Sequence, residues 1–160
     1  MNTEPLKEHQ WLEQFVGEWT SEGEANMGPD KPAEKFTTTE SVRSIGGVWI
    51  ACEGQGGMPG GAPATMIATL GFDPAKQRFV GTFIASMETH MWVYEGSLDA
   101  AGKVLTLDTV GPSFAGDGKM AKYQDIHELK SPDHRVLTSR VLGDDGVWRE
   151  IMRAEYRRKK

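Results

Sequence analysis

The side chains of this chain whose types and spacing bear on chemistry are its four histidines, its one cysteine and Glu150, a carboxylate set in an apolar alternation. His9, His90, His127 and His134 form no H-x-H or H-x-x-x-H pair, so no dedicated metal site is expected. Cys52 stands alone and supplies neither a disulfide nor a thiolate cluster. There is no G-x-S-x-G elbow and no histidine local to Cys52, so Ser86 and Ser113 read as ordinary loop-adjacent serines and no catalytic residue is assigned. Residues 54–63, GQGGMPGGAP, invite a phosphate-loop reading. A Walker loop needs a lysine where Ala62 stands, and a dinucleotide fingerprint needs a glycine where Pro59 stands. The stretch that follows, ATMIATLGF, is strand-like rather than helical. The segment is therefore expected to be a flexible lip, its glycines supplying mobility and positive φ.

The elements that must position these residues are mostly strands. Residues 5–16 place Leu6, Trp11, Leu12 and Phe15 at helical spacing, with Pro5 near the first turn and Gly17 where a helix stops. Beyond Gly17 the chain turns to short runs of Val, Ile, Thr and aromatic residues broken by turn signals. Ten strands are predicted, over about 17–26, 35–45, 48–55, 64–72, 78–86, 91–98, 103–110, 119–130, 134–142 and 147–157. Gly46-Gly47, Asp73 to Lys76, Asp99 to Gly102, Ser131 to Asp133 and Gly143 to Gly146 are hairpin-type connections, which join antiparallel neighbours. An open ten-stranded meander would leave two long edges, so closure is the natural solution. The expected fold is all-β: a single domain over residues 1–160, a ten-stranded antiparallel up-and-down barrel with a short N-terminal helix plugging one end.

Parity then gives the barrel a mouth. Connections of a meander alternate between the two ends, so MGPDKPAE, GQGGMPGGAP, METH, GPSFAGDG and GDDG share the end away from the helix. Long glycine-rich loops gathered on a rigid scaffold mark that end as functional. Trp19 belongs to the opposite end, where Arg157 or Arg158 is expected to stack on it.

Several side chains are candidates to face the cavity. His90 follows the mouth-side SMET stretch and precedes MWVYEG, in which Trp92 and Tyr94 share a face. Along the last strand Trp148, Glu150, Met152, Ala154 and Tyr156 form the more apolar alternate and are turned inward. An inward Glu150 needs a partner, and Arg140 and Tyr123 are the candidates. The ligand-binding set is thus Met87, Trp92, Tyr94 and Trp148 for contact area, with His90, Tyr123, Arg140 and Glu150 orienting polar atoms of a small, largely apolar ligand. His9 and His134 are expected to be solvated, and His127 to be a hydrogen-bonded wall residue. Strand five is apolar on both faces, Phe79, Phe83 and Ala85 against Val80 and Ile84, which suggests a homodimer through the barrel wall.

Composition narrows the partners. With 18 basic and 23 acidic residues the net charge is −5, so nucleic acid is not an expected partner, and the terminal YRRKK reads as a solvated tail. No apolar run suits a signal peptide or a membrane span, and the lone cysteine fits a reducing compartment, so a cytoplasmic protein is expected.

FVGEWTSEG, the long central run LGFDPAKQRFVGTFIASMETHMWVYEGSLDAAGKVLTL and the closing YRR together resemble the DUF1579 family of bacterial proteins of unknown function. That resemblance spans essentially the whole chain and implies a calycin or lipocalin-like barrel with no established catalytic residues. The GEW triplet is also similar to the lipocalin G-x-W signature and to the opening of nitrobindin-type haem barrels. Three alternatives to simple ligand binding stand beside it. One is an isomerase or lyase using Glu150 or His90 as acid or base, one a haem protein with His90 or His127 as proximal ligand, and one a filled barrel acting through its surface. No cofactor is fixed by the residues themselves.

Overall fold

The computed structural model describes residues 3–26, 28, 30–57 and 63–160. The expected lip therefore lies partly outside the described residues: 54–57 and 63 belong to strands, and 58–62 are not described. A helix α1 (Lys7–Leu12) runs into one 3-10 turn (Glu13–Phe15), and ten strands follow. They are β1 (Gly17–Ala25), β2 (Glu34–Ile45), β3 (Trp49–Gly57), β4 (Pro63–Asp73), β5 (Arg78–Ala85), β6 (Trp92–Leu98), β7 (Val104–Pro112), β8 (Met120–Ser131), β9 (His134–Leu142) and β10 (Trp148–Arg158). Each pairs antiparallel with the next, and β10 returns to β1, closing the barrel. Closure satisfies the edge backbone groups that an open sheet would leave unpaired. The tight turns are built as their residues dictate: Gly46 and Gly47 both take positive φ, 63° and 76°, which a side chain would oppose.

The end near the helix is filled. Leu12, Phe15, Trp19, Ile50, Leu70, Phe72, Phe79, Leu105 and Leu107 form a continuous apolar core. Trp11 Nε1 donates to the carbonyl of Gly102 at 2.6 Å, and Trp19 Nε1 donates to Phe15 O at 2.8 Å, so the plug is tied as well as packed. His9 corrects one expectation. It is buried rather than solvated, accepting the N–H of Leu6 at Nδ1 and donating from Nε2 to Phe72 O, both at 2.9 Å. The helix turns that face onto the β4 end because it must cover the barrel floor. His134 is also half-buried, 3.3 Å from Glu155.

Two arginines close the floor. The Arg158 guanidinium lies 4.3 Å from the centroid of Trp19, as the sequence leads one to expect, and donates to Val16 O and Gln14 O. Arg135 was not anticipated. Its guanidinium lies over Trp19, Phe15 and Tyr156, 4.0 to 5.1 Å from their centroids, and is ion-paired with Glu40 inside the barrel. Flat, weakly hydrated guanidinium surfaces stack on indole and phenol rings where an ammonium would stay hydrated.

Strand β10 changes face partway along. Its pairing with β9 runs Trp148 with Leu142 and Glu150 with Arg140, then shifts, and resumes with Met152 opposite Ser139. The extra residue is Ile151, a β-bulge that reverses the inward parity. Met152, Ala154 and Tyr156 face the interior as predicted, but Trp148 and Glu150 do not.

Candidate functional site

At the end opposite the helix, the β5–β6 connection and the end of β7 enclose an open cleft of about 420 Å³. Ser86, Met87, Glu88, Thr89 and His90 form one side, and Trp92, Pro112 and Phe114 the other. Trp92 is its fixed wall. The ring packs flat over Gly111, where even a Cβ would strike it, and meets Tyr123 edge-on at 5.1 Å and His90 edge-on at 4.8 Å. Its Nε1 donates to both oxygens of Glu88, at 2.9 and 3.3 Å, which holds that half-buried carboxylate at the cleft. His90 is tied back through Nε2 to Val110 O at 3.1 Å. Phe114, at the tip of the β7–β8 connection, is 71% exposed and packs edge-on against Tyr123 at 5.5 Å. Tyr123 donates its hydroxyl to Pro112 O at 2.7 Å.

One inward residue below Tyr123 on β8 stands Asp125, half-buried. It accepts from Tyr94 Oη at 2.5 Å and from Ser139 Oγ at 2.6 Å. Burial raises its carboxyl above the ordinary range, against the pull of those two donors. Tyr94 is raised too, first by burial and then by the negative charges of Asp125 and Glu88. The Thr109 hydroxyl, on the inner face of β7 opposite Tyr123, is buried with no hydrogen-bond partner among the described residues.

Of the eight expected ligand-binding residues the structure brings five together. Met87, His90 and Trp92 line the cleft, Tyr123 stacks on Trp92, and Tyr94 lies beneath. Arg140, Trp148 and Glu150 are elsewhere, which corrects their expected inward facing. Arg140 is paired in register with Gln124 and donates to it at 2.8 Å, and Gln124 donates to Asp108 on the outer face of β7. Trp148 carries the Arg140 guanidinium at 5.0 Å on that same outer surface, and Glu150 is exposed. For Trp148 and Glu150 the cause is the Ile151 bulge, which sends the mouth end of β10 outward, whereas Arg140 faces out with its partner Gln124, which alternates with the inward Tyr123 and Asp125. Tyr123 accordingly serves the Trp92 stack and not Glu150.

The sequence reading missed Glu88, Phe114, Asp125 and Arg135. For Asp125 the signal existed: with Tyr123 inward, a period of two puts Asp125 and His127 on the same face. His127 is half-buried in the wall against Phe15, 6.0 Å between rings. Among the described residues no three His, Cys, Asp or Glu side chains converge as a metal would require, and no helix is long and apolar enough to cross a membrane.

The chain matches the family described as Protein of unknown function (DUF1579) over residues 4–158. Among curated proteins none is similar to it in sequence. Solved structures share its shape. Rv2717c from M. tuberculosis superposes with a TM-score of 0.65 at 12% identity, covering 98% of this chain and 100% of that one. The S-type phycobiliprotein lyase CPES from Guillardia theta gives 0.60 at 15% identity, covering 95% and 92%. The barrel EF1p2_mFAP2b bound to DFHBI gives 0.52 at 13% identity, covering 95% and 99%. At such identities the likeness is one of fold.

Proposed function

The chain belongs to the DUF1579 family of proteins of unknown function, and we propose from the geometry of its mouth that it binds a small, largely apolar molecule there. The observation that carries this reading is the cleft itself. Trp92, Phe114, Met87 and Pro112 offer apolar surface, with only Glu88 and His90 as convergent ionisable groups, which is the usual make-up of a small-molecule site. Exposing Phe114 and Met87 to water has a cost that an apolar ligand would relieve. That a barrel of this shape binds DFHBI is consistent with the reading. The contact residues are Met87, Trp92 and Phe114, Tyr123 buttresses them, and Tyr94 and His90 hold polar positions around them. Arg140, Trp148 and Glu150 are outside this map.

Native mass spectrometry of the protein from its own host, against the denatured mass, is the first test. A reproducible extra mass identifies the ligand class. Trp92→Ala then weakens binding of that molecule about tenfold or more, as loss of a central tryptophan contact does. Unchanged affinity in isothermal titration would place the ligand elsewhere. The acid–base and haem alternatives have less support. Glu150 stands outside the barrel, His90 Nε2 is engaged by Val110 O, and His127 is half-buried in the floor beside Phe15.

Two further readings belong to this proposal. The outer face of β4 and β5 sets Ile67 opposite Ile84, with Val93 on β6 beside them, all exposed, which supports a second copy of the chain on that wall. Sedimentation showing only monomer at micromolar concentration counts against it. A cytoplasmic location is supported by the single buried, unpaired Cys52, and cell fractionation tests it.

A further inference from the structure

The mouth is acidic where a ligand's polar atoms would arrive. Glu88 is held at the cleft by the Trp92 indole and has no ion-pair partner among the described residues. Asp125, one inward residue below Tyr123 on β8, receives two hydroxyl donors and likewise no cation among the described residues. Among the described residues lining the cleft there is neither lysine nor arginine. The nearby arginines are committed elsewhere: Arg140 to Gln124 and Trp148 on the outer wall, Arg149 to Asp145, and Arg135 to Glu40 at the opposite end.

The aromatic lining agrees in sign. Trp92, Tyr123 and Phe114 surround the entrance, and ring faces attract cations more strongly as water is excluded.

We infer that the ligand is an organic cation, with an apolar body packed on Trp92, Phe114 and Met87 and a protonated amine received by Glu88. This inference rests on the mouth being a small-molecule site and adds the charge of the molecule that fits it. An anionic ligand of the same shape would meet the Glu88 carboxylate, with the His90 imidazole as the basic side chain on the lining.

Three probes of one shape separate the two ideas: 1-naphthylmethylamine, 1-naphthalenemethanol and 1-naphthoate, titrated calorimetrically into the intact protein at neutral pH. The expected result is an amine preference of about tenfold or more over the alcohol, with the carboxylate weaker still. Glu88→Gln, a substitution at a half-buried rim position, should reduce the amine-to-alcohol ratio to within about threefold. Equal binding of all three probes, or a preference for the carboxylate, overturns the cation inference while leaving an apolar site in place. Failure of all three to bind at millimolar concentration overturns the small-molecule reading together with the inference.

Discussion

Replacing Arg135 with leucine is expected to lower the stability of the barrel by about 3–5 kcal/mol, the usual cost of removing one partner from a buried ion pair. The pair qualifies on burial: the Arg135 side chain is 4% exposed and that of Glu40 17%. After the substitution the Glu40 carboxylate remains in the floor with its cation gone and little water to replace it. The three rings that stack on Arg135 lose their contact as well. For a chain of this length each kcal/mol moves the melting temperature by roughly 2–4 °C, so a drop on the order of 10 °C is expected. The second arm of the experiment removes the other charge. Arg135→Leu combined with Glu40→Leu should recover most of the loss, because an apolar pair of similar volume is often no worse than a buried ion pair. A single variant as stable as the parent, or a double variant no better than the single, would mean that the floor is hydrated and the pair contributes little.

The architecture was largely legible because its signals are local. Every strand end lies within two residues of its expected position, since turn residues such as Gly46-Gly47 and Asp99 to Gly102 act where they stand. Facing is a different problem. On β10 both alternates carry apolar residues, Val147, Arg149 and Ile151 against Trp148, Glu150 and Met152, and nothing in that pattern marks Ile151 as the extra residue. One unseen bulge therefore moved Trp148 and Glu150 from the cavity to the outer wall, and Arg140, expected inward only as a partner of Glu150, faces out with Gln124. Arg135 was illegible for another reason. A charged residue on a strand reads as exposed, and its partner Glu40 is 95 residues away in the chain. Glu88 belongs to a connection, where no periodicity fixes direction, and only the Trp92 indole shows which way it turns. Asp125 differs from these. Its facing followed from Tyr123, and what the sequence lacked was a reason to accept a carboxyl in the interior before its donors, Tyr94 and Ser139, were in view.

Acid should expose His127. Burial, with a smaller contribution from the nearby Arg135 charge, lowers its imidazole from 6.5 to about 3. In the unfolded chain the ring binds a proton near 6.5, so between that pH and about 3 the unfolded state takes up a proton that the folded state refuses. The stability associated with the neutral ring is thus fully present above 6.5, falls as the pH drops through the window, and levels off below about 3. The slope for one such group is about 1.4 kcal/mol per pH unit, which gives about 3 kcal/mol between pH 7 and pH 4. Asp125 acts in the opposite sense. Its carboxyl is raised in the folded state, so its protonation during acidification favours the fold and offsets part of the loss. Urea unfolding at the two pH values, followed by tryptophan fluorescence, measures the sum. His127→Gln isolates the histidine, since glutamine keeps a polar side chain of similar reach and has no proton to bind. The variant's stability should fall less than the parent's by about 3 kcal/mol over the same interval. Parallel losses in parent and variant would show that the ring meets water in the folded barrel, and the packing of the floor around Phe15 would then have to be reconsidered.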